Sequence, residues 1–281
     1  MRLTLLGFLA LFTAIAQQRI VSTAPSFTET LFALGAGTRV VAVSTHCHYP
    51  PEVNQLPRVG SYLGPDIEAI VRFQPDLVLA HAERPQTIAQ LAKFGVRTLA
   101  LTNTSLDEIL SSIVEIGAAT GLKQQGIELE RSIRAKLNSI EKRGSGKPRR
   151  TLLFVVGRTP GRLDGMIAVG KGSFLNEVIR IAGGRNVLSE SPVTYPRISI
   201  EAVMRLDPDV IVDMGDMAET AGVTEADLQS VVKLWQSQSR IRAVKDKNVF
   251  AVAADIFVVP GPRVTDTAEA FSRMLFREGA R

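Results

Sequence analysis

The sequence predicts an α/β protein of two similarly built lobes joined by a single long helix, and three observations predict it. The first is an internal duplication. IEAIVRFQPDLVLA at residues 67–80 returns as IEAVMRLDPDVIVD at residues 200–213, with Ile, Glu, Ala, Arg, Pro and Asp at the same six places. The match reaches backwards, since Tyr62 and Tyr195 each stand six residues before the shared glutamate, Glu68 or Glu201. The second is that short apolar runs alternate with amphipathic stretches in both halves, the pattern of a largely parallel sheet covered by helices. The third is a polar stretch between the halves, 122–143, which has no strand signal and sets Ile133, Leu137 and Ile140 on one helical face. The expected divisions are a leader at 1–16, an N-terminal lobe at 17–121, the connecting helix at 122–146 and a C-terminal lobe at 147–281.

The leader shows a positive Arg2, an apolar run at 3–15 and an Ala-Ile-Ala site at Ala14–Ala16, the pattern of a signal peptide cleaved near Ala16. About 13 apolar residues are too few to span a membrane. RIVSTA (19–24) reads as the first strand, followed by a helix that breaks at Gly35 and Gly37. VVAVST (40–45) is the second strand, and a loop rich in Pro and aromatic residues runs from His46 to Tyr62. Each copy of the duplication reads as a helix, a Pro-Asp turn and a buried strand, because the residue before Pro75 or Pro208 is pushed out of the right-handed helical region. A helix at 85–94, a strand at 96–101 and a helix capped by Ser105 with Glu108 at the capping-box position complete the first half. The connecting helix, about 20 residues long, spans about 30 Å and makes a stiff hinge. The second half opens with the strand TLLFVVG (151–157), a loop at 158–172 and a helix from Ser173. That helix, SFLNEVIRIAGG, echoes SFTETLFALGAG at 26–37: both open on Ser-Phe and break at glycines. A helix holding Trp235, the strand NVFAVAAD (248–255), a Pro-Gly-Pro-Arg loop ending at Arg263 and a last helix at 266–277 follow.

Composition narrows function mainly by exclusion. Of 281 residues, 45% are hydrophobic and 22% charged, ordinary for a globular protein. The net charge of +5 is diffuse apart from a basic run at 142–150, which reads as a solvated linker, so nucleic acid is not an expected partner. Cys47 is the only cysteine, so no intrachain disulfide can form.

No catalytic motif emerges, and an enzyme is not expected. Gly165 to Lys171 imitates a phosphate-binding loop, but Gly172 stands where Ser or Thr would hold magnesium. His46-Cys47-His48 lacks a second ligand pair at structural-zinc spacing, and His81 ends a strand where it could face the cleft, although a lone histidine is more often structural. An exported hydrolase using these histidines is the rival from another class, with no nucleophile motif to support it.

The tyrosines are more informative. The chain has three, Tyr49, Tyr62 and Tyr195, all in loops that lead into helices. Ligands of open α/β sheets bind beyond the carboxyl ends of the strands. Two facing lobes would therefore clamp a flat, amphipathic ligand between tyrosines; the plainer alternative is that each tyrosine packs on its own loop. Arg263 would supply a charge for phosphate or carboxylate, and Phe257 is a further contact candidate. Glu68 and Glu201 sit at equivalent points of the two lobes. They suit a two-fold symmetric partner bearing arginines, or else each favours its own helix dipole.

RIVSTAPSFTETLFALGAG, THCHYPPEVNQLPRVGSY and IEAIVRFQPDLVLA together resemble the substrate-binding proteins of ABC importers for cobalamin, haem and ferric siderophores, over nearly all of the chain beyond the leader. The likeness is strongest to the cobalamin-binding branch, through His48-Tyr49-Pro50-Pro51-Glu52, Tyr195-Pro196 and Pro262-Arg263. The resemblance implies two Rossmann-like lobes on a helical backbone. It implies a periplasmic receptor, expected to be a monomer, that delivers a metal chelate to an ABC permease dimer. The chelate is cargo rather than cofactor: a corrinoid, or alternatively haem or a ferric siderophore. The glutamates matching Glu68 and Glu201 dock into arginine pockets of the permease. Cobalamin binders carry aromatics, several of them tryptophan, where Tyr49, Tyr62 and Tyr195 stand, and Trp235 matches none of them. Haem-binding relatives use a tyrosine near Tyr62 as axial iron ligand, so no direct metal contact is expected of this chain unless the ligand is haem, when Tyr62 would provide it.

Overall fold

A computed structural model describes residues 18–215 and 222–276. The expected leader lies outside the described residues. In the N-terminal lobe the elements are β1 (Ile20–Ser22), α1 (Pro25–Ala33), β2 (Val40–Val43), α2 (Ile67–Arg72), β3 (Leu77–His81), α3 (Pro85–Lys93), β4 (Thr98–Leu101) and α4 (Leu106–Ala119). The strands form a wholly parallel sheet in the order β2-β1-β3-β4, as buried apolar runs linked by crossover helices require. Then comes α5 (Lys123–Gly144), 22 residues and about 33 Å long.

The C-terminal lobe holds β5 (Thr151–Gly157), β6 (Met166–Ala168), α6 (Phe174–Ile181), β7 (Arg185–Asn186), β8 (Arg197–Ile198), α7 (Ile200–Leu206), β9 (Val210–Asp213), α8 (Glu225–Trp235), α9 (Arg242–Lys245), β10 (Val249–Ala251) and α10 (Val264–Phe276). Its sheet runs β10-β9-β5-β6-β8, with β7 also on β5. Strands β10, β9, β5 and β7 are parallel, but β6 runs antiparallel to both β5 and β8. The stretch expected to be a plain loop therefore folds back on β5. Three residues are too short to show a period in sequence, and their pairing is supplied by the neighbouring strand.

The duplication is physical as well as textual. Asp66 caps α2 by accepting from the Ala69 N–H at 2.9 Å, and Ser199 caps α7 by accepting from Ala202 at 3.3 Å. Each helix ends before proline at a residue in the left-handed region, Gln74 (φ 44°) and Asp207 (φ 40°). The aspartate after each proline then clamps the start of its lobe's first strand. Asp76 Oδ2 accepts from the Arg19 N–H at 2.7 Å, and Asp209 Oδ2 accepts from the Thr151 N–H at 2.8 Å. That clamp sets the register Ile20 to Leu77 in one sheet and Leu152 to Val210 in the other.

The lobes share one interior. A single hydrophobic cluster runs from Ile20, Phe27 and Leu79 through Ile133, Leu137 and Ile140 of α5 to Phe154, Phe271 and Leu275. Separate clusters cover only the outer faces, around Val21, Ile70 and Leu91 in one lobe and Leu153, Trp235 and Ile241 in the other. At two glycines, helix α5 also approaches each lobe backbone to backbone. A Cβ at Gly126 would lie 3.0 Å from Ile113 O on α4, and one at Gly144 would lie 3.2 Å from Gly183 Cα after α6. Two hydrogen bonds also cross directly: Phe174 N–H donates to Thr104 O, and Leu106 N–H to Glu177 Oε1, both at 2.9 Å.

Candidate functional site

The carboxyl ends of the two sheets face each other across a cleft of about 720 Å³, within the size range of small-molecule sites. The N-terminal lobe contributes the turn after β1, the His46–His48 loop after β2, Tyr62, His81 at the end of β3 and Asn103 after β4. The C-terminal lobe contributes Ser173 and Phe174 at the start of α6, Thr194 and Tyr195, and the segment after β10 from Asp255 to Pro260. The Ser-Phe echo thus has a spatial meaning: Ser26 in the first turn of α1 and Ser173 at the cap of α6 line opposite walls. Both hydroxyls are engaged, Ser26 Oγ accepting from Asn103 Nδ2 at 2.8 Å and Ser173 Oγ lying 3.0 Å from the Tyr195 hydroxyl.

Tyr62 and Tyr195 face the cleft from opposite lobes. Tyr62 is 39% exposed and stands edge-on between two imidazoles, His46 at 5.7 Å and His81 at 6.3 Å between ring centroids. Tyr195 shows its ring to the cleft, while withdrawal of its hydroxyl from water pushes the phenol pKa up, opposed by the Ser173 hydrogen bond. Its loop is held by Gly170, whose N–H donates to Thr194 O at 2.8 Å; a Cβ there would stand 2.2 Å from Val193 O. Glycine in the phosphate-loop look-alike thus serves close backbone packing.

Other expected residues are placed differently. Arg263 is not an open charge in the cleft. Its Nε donates to Glu29 Oε2 at 2.9 Å, its Nη2 donates to Glu29 Oε1, and its guanidinium covers the Tyr49 ring at 3.9 Å. Tyr49 is exposed and stacks on that arginine outside the cleft wall. Phe257 is corrected from contact candidate to core residue: it is 3% exposed, with its ring 5.9 Å from Phe154 and 5.5 Å from Phe271. The 3₁₀ turn Asp255–Phe257 points the aromatic inward and leaves Asp255 and Val258 to line the cleft. Cys47 is likewise inward, its thiol 3.2 Å from Thr28 Oγ1 and 3.3 Å from Ser44 Oγ, and burial pushes its pKa up. The histidines on either side of it line the cleft, so all three histidines of the chain are there. Burial pushes the His81 pKa down from the usual imidazole value.

Glu68 and Glu201 each occupy the second position of their helix, α2 and α7, and both are exposed. Glu68 lies 3.7 Å from Arg72 in a solvent-screened pair, and a hydrogen bond from Ser199 lowers the Glu201 pKa. Among the described residues, no three or more His, Cys, Asp or Glu side chains gather as a metal-ion site, and no helix is long and apolar enough to cross a membrane. Two features decide what the cleft can take. Among the described residues, its walls carry aromatic, hydroxyl, amide and imidazole groups with one acid, Asp255, and no lysine or arginine lines it. Sequence reasoning missed Asn103, Ser26 and Ser173, although the Ser-Phe echo marked the two serines.

The description "periplasmic binding protein" matches residues 20–256. A vitamin B12-binding protein of Pectobacterium carotovorum is 29% identical over 262 residues, covering 92% of this chain and 88% of its own. Among solved structures, the periplasmic vitamin B12-binding protein of Vibrio cholerae superposes with a TM-score of 0.77 at 27% identity, covering 94% of this chain and 98% of its own. A periplasmic haem-binding protein from Roseiflexus sp. RS-1 superposes with a TM-score of 0.76 at 26% identity, covering 92% and 99%.

Proposed function

This chain belongs to the periplasmic binding protein family, and on that premise we propose that it captures a corrinoid of the cobalamin type and delivers it to an ABC importer. The observation that carries this reading is the charge of the cleft. A corrinoid presents a flat ring edged with neutral amides, which hydroxyl, amide and imidazole walls can hydrogen-bond. Haem brings two carboxylates, and burying these without a cationic partner is costly. Arg263, beside the cleft, is already committed to Glu29. Tyr62 and Tyr195 supply aromatic faces from both lobes, with Tyr49 at the seam behind Arg263.

Capture and release need no chemistry on the ligand, so the protein acts as a receptor and catalyses nothing. It works in the periplasm, reached through a leader cleaved near Ala16, and as a monomer. Glu68 and Glu201 present two equivalent carboxylates to a two-fold related pair of permease subunits. Haem is the second reading, favoured by Tyr62, whose phenol faces the cleft as an axial oxygen donor would.

The test is the visible spectrum of residues 17–281 after dialysis against cyanocobalamin and, separately, haemin, followed by desalting. A stoichiometric corrin band is expected. A retained haem band alone, lost in Tyr62→Phe, would replace the corrinoid reading with the haem one.

A further inference from the structure

We propose that His81 is the axial metal donor of the cleft, binding the metal of a ligand that arrives already chelated in its equatorial plane; this rests on the metal-chelate reading of the cleft. No three acidic, thiol or imidazole groups among the described residues gather to hold a bare cation. A metal already held by four equatorial nitrogens needs only one further donor, and a neutral imidazole is well suited to cobalt or iron.

Three histidines line the cleft, and their surroundings separate them. His46 and His48 are exposed on a loop, and His46 Nδ1 lies 3.1 Å from Thr45 Oγ1. His81 is the last residue of β3, an inner strand flanked by β1 and β4, and the Ala82 N–H that follows donates to Leu101 O at 2.9 Å. Its ring is wedged between Phe27, 4.8 Å away, and Tyr62. Such a ring loses little freedom on coordination, which favours binding. Among the described residues its nitrogens have no hydrogen-bond partner, and no fully buried side-chain nitrogen or oxygen is left unpaired. The His81 nitrogens therefore open onto the cleft. A half-buried imidazole held rigidly with free nitrogens is poised to displace an exchangeable water from an incoming metal.

The consequence is selectivity for ligands with a labile axial position. Aquocobalamin has one, whereas cyanide occupies that position in cyanocobalamin. Titrating the wild-type protein with aquocobalamin should move the corrin bands to longer wavelength, as replacement of water by imidazole does, while cyanocobalamin should bind with its spectrum unchanged. His81→Phe keeps a ring between Phe27 and Tyr62. It should bind aquocobalamin without the shift and about tenfold more weakly, with a clearly smaller loss of cyanocobalamin affinity; His46→Ala and His48→Ala should keep the shift. Wild-type protein that retains aquocobalamin unshifted, or a His81→Phe variant that keeps the shift, would overturn the assignment while leaving the corrinoid reading intact. Equal loss of both corrinoids in His81→Phe would overturn it in favour of a packing role. Failure of the wild type to retain any corrinoid would remove both the assignment and the reading beneath it.

Discussion

Glu29 and Arg263 stand 234 residues apart in the chain and meet in a two-point ion pair that ties α1 of one lobe to the loop before α10 of the other. The Glu29 side chain is 3% exposed and that of Arg263 19%. Beside the pair, a Cβ on Gly261 would lie 3.4 Å from Ser26 Cα, so the two lobes come close backbone to backbone at this seam. The arginine expected to greet the ligand instead fixes the frame around it.

Removing Arg263 should therefore harm stability before it harms binding. Arg263→Met leaves Glu29 buried without its partner, at a cost on the order of 3 kcal/mol. Burial already holds the Glu29 pKa above the usual carboxylate value, against the opposing pull of Arg263. A folded-state pKa above the unfolded one means the native state binds more protons between the two values, so this group's contribution falls as pH rises through the raised pKa. Without Arg263 the pKa rises further, so the variant should regain stability as pH is lowered from 7 towards 5. Urea unfolding at several pH values checks this; variant and parent curves with the same pH slope would count against it.

Tyr62 and Tyr195 should each contribute ring contact to the ligand. Replacing either by alanine is expected to weaken corrinoid binding about tenfold. Tyr195→Phe should cost much less, because the hydroxyl is turned to Ser173 rather than left free for a ligand. Equilibrium dialysis of the three variants separates a stacking face from a hydrogen-bonding one.

Reversing both exposed carboxylates, Glu68→Lys with Glu201→Lys, should abolish uptake in vesicles containing the permease while changing corrinoid affinity less than twofold. Each side chain lies at a helix start on the protein surface, and neither lines the cleft. Lost ligand affinity in the double variant would refute the division between capture and docking.

Ligand should produce little closure. Opening the lobes would expose part of the shared cluster that passes through Ile133, Leu137 and Ile140, at about 25 cal/mol for each Å² of apolar surface uncovered. It would also break the Glu29–Arg263 pair. Small-angle scattering of the free and loaded protein should give superimposable curves, and a clear compaction on loading would show that this interior yields.

By itself the sequence determined the architecture, and for a local reason. Helical period, proline turns and short apolar runs act over a few residues, and the duplication displayed them twice. Its repeated Asp76 and Asp209 even carried the clamp that registers each first strand, although nothing in the letters named their partners. What tertiary structure alone decided depended on direction and distance. Whether Phe257 pointed to core or cleft turned on one short 3₁₀ turn, and whether Arg263 was free turned on Glu29 at the other end of the chain. The two copies also diverge at their last position, where an apolar residue is replaced by an acid. Ala80 of the first strand has Asp213 as its counterpart, buried and bound by Arg158 at 2.9 Å and by the Trp235 indole N–H at 2.7 Å. That His46 and His48 of one loop share a wall with His81 at a strand end was legible only in part. Periodicity encodes which face of an element is buried, whereas a site is made of side chains from distant elements, and only packing brings those together.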